Sequence, residues 1–179
     1  MRVLASVLLS LLALCCLAAC GGNDAPDDPK LSDEGKEIVR AMGGPFTEAE
    51  FNKFLADLPE IPGLAAQSMP MADDASDASQ AIKNAIGSHG WDEDRFLYIY
   101  SHAMTMMNYD QMQHMAGQMR ERFQGMPEDQ RKAMEQTMAQ QIGGQMEALR
   151  AEVDKQIPTS EQDIVRKHMT ALTKLMGMR

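Results

Sequence analysis

Beyond position 20 the chain has no cysteine: Cys15, Cys16 and Cys20 all lie within its first twenty residues. Everything from Gly21 onward must therefore fold without disulfides and has no thiolate for catalysis or metal ligation. Aromatic residues are scarce at 5%, with one Trp, three Tyr and five Phe, too few for a base-stacking platform. Clusters of Lys and Arg are missing from a chain of formal net charge −9. Nucleic-acid binding needs such clusters to neutralise phosphates, so no nucleic-acid partner is expected. The chain also lacks alternating β-branched runs and Asn-Gly hairpins, the ordinary signals of strands. There is no His-Glu-x-x-His, no Gly-x-Ser-x-Gly elbow, no Ser-x-x-Lys pair and no phosphate-binding glycine loop, so catalysis leaves no signature and the protein is expected not to be an enzyme. What is present is 179 residues that are 44% hydrophobic, enough for one domain with a genuine core.

The chain opens with Met1-Arg2, a minimal positive segment, followed by an apolar run from Val3 to Ala19 broken only by Ser6 and Ser10. That run falls short of the ~20 residues a spanning helix needs and has no charges on its far side, so it reads as a cleavable signal over residues 1–19. It ends in Leu17-Ala18-Ala19-Cys20, which resembles the lipobox of bacterial lipoproteins. The resemblance implies cleavage before Cys20 and acylation of Cys20, with palmitate among the usual chains; an ordinary secretory signal is the alternative. Two or three acyl chains, at about 0.8 kcal/mol per buried methylene, hold a protein on a membrane almost permanently. The residue after Cys20 is Gly21 rather than the Asp associated with inner-membrane retention in such lipoproteins. The resemblance therefore implies an anchor in the outer membrane, facing the periplasm. No cofactor is expected beyond that covalent lipid on Cys20.

Residues 20–31 read as a flexible acidic tether, because Gly21-Gly22-Asn23-Asp24-Ala25-Pro26-Asp27-Asp28-Pro29 has nothing to bury. The acidity is uneven. Residues 23–77 carry 13 acidic and 4 basic side chains, whereas residues 78–179 carry 13 and 12. An acidic membrane-proximal segment serves solubility or attracts cations.

From 32 to 179 the patterns are helical throughout, predicting a single all-α domain: an irregular antiparallel bundle of about four to six helices. Ser32 opens a short helix that Gly43-Gly44-Pro45 ends. Thr47 and Glu50 have capping-box spacing, with Phe46 placed to staple against Phe51. Phe51, Phe54, Leu55 and Leu58 give one apolar face up to Pro59. Residues 59–79 read as a long connection, and a short helix around Ile82 and Ile86 follows. Asp92 caps the longest element, with Trp91 and Phe96 as its staple pair. Its apolar spacing slips at Asn108-Tyr109-Asp110, which predicts either a bend or contacts on two faces. A second long helix opens at Pro127 and carries Met134, Met138, Ile142, Met146, Leu149, Val153 and Ile157 on one stripe. Gly143-Gly144 in its middle predicts a kink or a close crossing. Pro158 ends it, and Ser160 with Asp163 is expected to cap the last helix.

Methionine is the compositional excess: 17 in all, ten of them between Met104 and Met146. Three readings compete. Met fills cores well; it also lines malleable surfaces that re-pack around varied partners; and thioethers favour Cu(I). His102 with Met106 and Asp110 with His114 each share a helix face, as a copper site requires. The segment Met126-Pro127-Glu128-Asp129-Gln130-Arg131-Lys132-Ala133-Met134 is similar to the Leu-Thr-x-x-Gln repeat that opens helices in Spy/CpxP-like periplasmic chaperones. Pro158-Thr159-Ser160-Glu161-Gln162 echoes it with Thr159 and Gln162 at the motif's spacing; Met126 and Pro158 replace its Leu, and Pro127 its first Thr. That resemblance implies a chaperone-like role. The expectation is a non-enzymatic, membrane-anchored lipoprotein that binds an envelope protein or peptide through a Met-rich helical surface. The alternative is a periplasmic copper- or heavy-metal-binding lipoprotein using Met and His side chains.

Overall fold

The computed structural model describes residues 28–66, 75–139 and 143–178. Within them run seven α-helices: α1 (Asp33–Ala41), α2 (Glu48–Asp57), α3 (Ala75–Ser88), α4 (Glu93–Phe123), α5 (Glu128–Met138), α6 (Gly144–Gln156) and α7 (Thr159–Leu175). A 3-10 turn over Leu58–Glu60 prolongs α2 across Pro59. The domain is all-helical, with no strand among the described residues. The apolar leader, the lipobox and Cys20 lie outside the described residues, as do positions 67–74 and Ile142. No described helix is long and apolar enough to cross a membrane.

Local chemistry accounts for most helix starts. The Ser32 side chain accepts from the Gly35 N–H, Asp92 from the Arg95 N–H, and Thr47 with Glu50 forms a complete capping box. Phe46 stacks on Phe51 at 5.4 Å between ring centroids, and Trp91 meets Phe96 edge-on at 5.6 Å, so both staples form. Between α1 and α2, Gly43 and Gly44 take φ of +88° and +97°, a conformation that side chains with a Cβ rarely adopt. Arg95, one turn into α4, clamps that corner. Its guanidinium donates to the Met42 and Gly44 carbonyls at 2.8 and 2.7 Å and forks onto the two Glu50 oxygens at 3.0 Å.

Helix α4 is the centre of the bundle and touches α2, α3, α5, α6 and α7. It runs without a break through Asn108-Tyr109-Asp110, so the slip in apolar spacing marks a change of neighbours. Before it, Phe96, Ile99, Ala103, Met106 and Met107 join the main core with Phe46, Phe51, Phe54, Val153, Val165 and Leu172. After it, Ala116 and Phe123 join a separate small cluster with Met138.

Several expectations are corrected. The second long helix is carried on two elements, α5 and α6, on either side of positions 140–142, so that seven helices fall among the described residues. Of the two outcomes read for Gly143-Gly144, a kink or a close crossing, the crossing is not formed, because a Cβ built on either meets nothing within 4 Å, and α6 begins at Gly144. Ser160 does not cap α7. Its N-cap is Pro158, whose ring carries no hydrogen-bond acceptor, and the Thr159 N–H instead donates to Asp28 Oδ2 at 2.7 Å. Asp28 and Leu31, read as part of the tether, are both buried against the domain. The connection after Pro59 is also shorter than its Pro, Asp and Ser content suggests, since α3 begins at Ala75.

Candidate functional site

The clustered methionines do not share one fate. Met106, Met107 and Met138 are enclosed, while Met104, Met112, Met119 and Met146 are half-buried. Met115 stands 64% exposed, with Met126 and Met134 also at the surface. The stripe read along 134–157 is thus buried only in part: Val153 and Ile157 are in the core, whereas Met134 points to solvent. The physical reason lies in the fold. Among the described residues, the outer half of α4 has α5 and the start of α6 on one side and only the end of α7 on another, too few neighbours to cover a helix on all sides.

That shortage leaves a groove of about 1150 Å³ between α4 and the α5–α6 pair. Ala116, Met138 and Met146 give its apolar lining, and Arg120, Arg131 and Arg150 stand on its walls. Tyr109, Gln113 and Arg150 also line an adjoining hollow of about 390 Å³, which continues towards the start of α7 at Thr159, Gln162 and Arg166. A third opening, of about 990 Å³ between α4 and α7, brings Asp110, His114 and Met115 beside Met169 and Met178.

The pair His102 and Met106, spaced for a soft-metal site, lies elsewhere. Met106 is 1% exposed, and the His102 ring is committed to a buried polar knot that sequence reading missed. At its centre is Glu161, fully buried in the first turn of α7. The Phe46 N–H and the Tyr98 hydroxyl donate to its Oε1 at 2.9 and 2.7 Å, and His102 Nδ1 lies 2.6 Å from Oε2. A carboxylate accepts, so Nδ1 carries the proton. Burial first, and then the charge of Glu161, push the Tyr98 phenol far above its ordinary range and keep it a donor. Three donors compensate for a charge that would otherwise be costly to bury. The knot ties the start of α2, α4 and α7 together, and none of the three openings reaches it. Its signal in the sequence was Glu161 standing four residues before the buried Val165, a polar residue on an apolar stripe.

Gln162 shows what the second Thr-x-x-Gln element does here. It is buried, and its amide donates back across Pro158 to the Ile157 carbonyl at 2.9 Å and to Asp154 at 3.2 Å. The element therefore shapes the α6–α7 corner.

Among the described residues no three His, Cys, Asp or Glu side chains come together as a metal cluster. Comparison with protein-family models, with curated proteins and with solved structures finds no match to this chain.

Proposed function

We propose that this chain is a lipid-anchored, non-enzymatic protein of the bacterial envelope, held by acylated Cys20 on the outer membrane facing the periplasm, and that it binds a protein or peptide in the groove between α4 and α5–α6. The anchor rests on Leu17-Ala18-Ala19-Cys20 behind the apolar leader. The single observation that supports partner binding is the division of the methionines: a protein using them only as core filler would enclose them, yet Met146 lines an open groove and Met115, Met126 and Met134 stand exposed around this end of the bundle. Thioether side chains re-pack at little cost, which suits a surface that accepts varied apolar segments.

Two measurements test this reading. Fractionation of cells expressing the full chain should place it in the membrane pellet, with Cys20→Ser releasing it, and mass spectrometry should find lipid on the amino-terminal peptide. Photo-crosslinking from position 146 should capture an envelope protein that crosslinking from Gln130 on the outer face of α5 does not. A soluble Cys20 form and a silent position 146 would end the proposal.

A copper-binding role is the second reading, and one observation favours it: His114, Met115, Met169 and Met178 line the same opening between α4 and α7. Titration with Cu(I) against a chelator decides it, because binding no tighter than micromolar excludes the role.

A further inference from the structure

The chain is acidic, but the groove is not. Seven arginines fall among the described residues, and four of them, Arg120, Arg131, Arg150 and Arg166, line the groove and its adjoining hollow. Lys30 stands at the hollow's far side. Against these five cations are three carboxylates, Glu135, Glu147 and Asp154. Two of the three are already spoken for, since Arg131 pairs with Glu135 at 3.3 Å and Lys30 with Asp154 at 3.5 Å. Arg166 is held by Asp163 and Gln162. Arg120 and Arg150 have no carboxylate or hydrogen-bond acceptor among the described residues, and both are exposed. Arg150 stands where groove and hollow meet.

We infer that the groove's occupant is an acidic amphipathic segment of another protein, its apolar face on Ala116, Met138 and Met146 and its carboxylates on Arg120 and Arg150. This rests on the partner-binding reading above and names the chemistry of the partner. A guanidinium offers a planar pair of donors matched to a carboxylate, which explains arginine here rather than lysine. The acidic excess of the chain lies in residues 23–77, with 13 acidic against 4 basic side chains, and repels an anionic segment there, so the arginines favour such a partner at the groove. The wide, methionine-lined part would hold the apolar face, and the narrower polar hollow leaves room for a further acidic side chain near Arg166.

The test uses the full-length protein as cells process it and three fluorescent peptides of one amphipathic design. Leu and Met form one face, and Glu, Gln or Lys occupies the other. The Glu peptide should bind at least about tenfold tighter than the Gln peptide, with the advantage shrinking as salt rises. Arg120→Glu with Arg150→Glu should abolish the advantage, whereas Arg122→Glu, outside the groove, should leave it intact. Should the double reversal fail to fold, Arg120→Gln with Arg150→Gln should bring the Glu peptide to the level of the Gln peptide. Equal binding of Glu and Gln peptides, or an equal loss in Arg122→Glu, overturns this inference and leaves the partner-binding reading standing. Absence of binding by all three peptides overturns both. Phosphatidylglycerol vesicles that bind through Arg120 and Arg150 and displace the Glu peptide would instead assign the arginines to lipid headgroups and overturn the peptide assignment.

Discussion

At the scale of single residues, three carboxylates carry unusual weight. Glu161 is surrounded by donors from two other parts of the chain, so removing it leaves Tyr98, His102 and the Phe46 N–H unpaired in the core. Glu161→Ala should cost about 3–5 kcal/mol, and Tyr98→Phe, which deletes one donor to a charge, about 1.5–3 kcal/mol, both read by urea unfolding. Glu50 closes the capping box and also receives Arg95. Thr47→Ala, which spares the Arg95 pair, should cost about 1 kcal/mol in the same assay. Asp28 titrates unusually. Burial raises its pKa, but the Thr159 and Lys30 N–H groups outweigh that and hold it below the ordinary carboxylate value of 3.8. A carboxyl depressed in the folded state gives stability that is fully present above its unfolded pKa and is lost as pH falls through the folded one. The acid-unfolding profile of Asp28→Asn should therefore show a variant less stable than the wild type from about pH 5 upward, with the difference closing only as pH falls through the depressed folded pKa of Asp28.

Among the elements, two glycines do opposite things. Gly35 sits inside α1 where the chain crosses the end of α6, and a Cβ there would stand 2.4 Å from the Lys155 carbonyl oxygen. That same oxygen accepts from the Ser32 N–H at 3.0 Å and from its hydroxyl at 3.1 Å, so the contact fixes α1 against α6. Gly143 is helical and meets nothing. Gly35→Ala should lower the melting temperature by displacing α1, whereas Gly143→Ala should raise stability by roughly 0.5–1 kcal/mol through helix propensity alone. A melting-temperature comparison of the two variants checks both signs. The elements themselves were largely legible beforehand, because capping boxes, staples and proline stops act within four or five residues. The start of α7 was not, since its acceptor comes from Asp28, 131 residues away.

Across the whole molecule, burial is unequal. Among the described residues, seventeen buried side chains form the main core, whereas Ala116, Phe123 and Met138 form the second cluster beneath α5. Amide hydrogen exchange should therefore be fastest in α5 and the adjoining end of α4, and slowest in the first half of α4 and in α7. The groove lies on that less stable end, where a partner's ordering of α5 would be read as slowed exchange. The amino-acid sequence alone determined the helical class, most helix boundaries and the surplus of thioethers, because propensity, capping and apolar spacing are local properties of the chain. Tertiary structure decided which methionines face a neighbour and which face an opening, that His102 serves Glu161, and that arginines far apart in sequence line one groove. Those outcomes depend on which helix faces lie side by side, and that is set by packing across the whole chain.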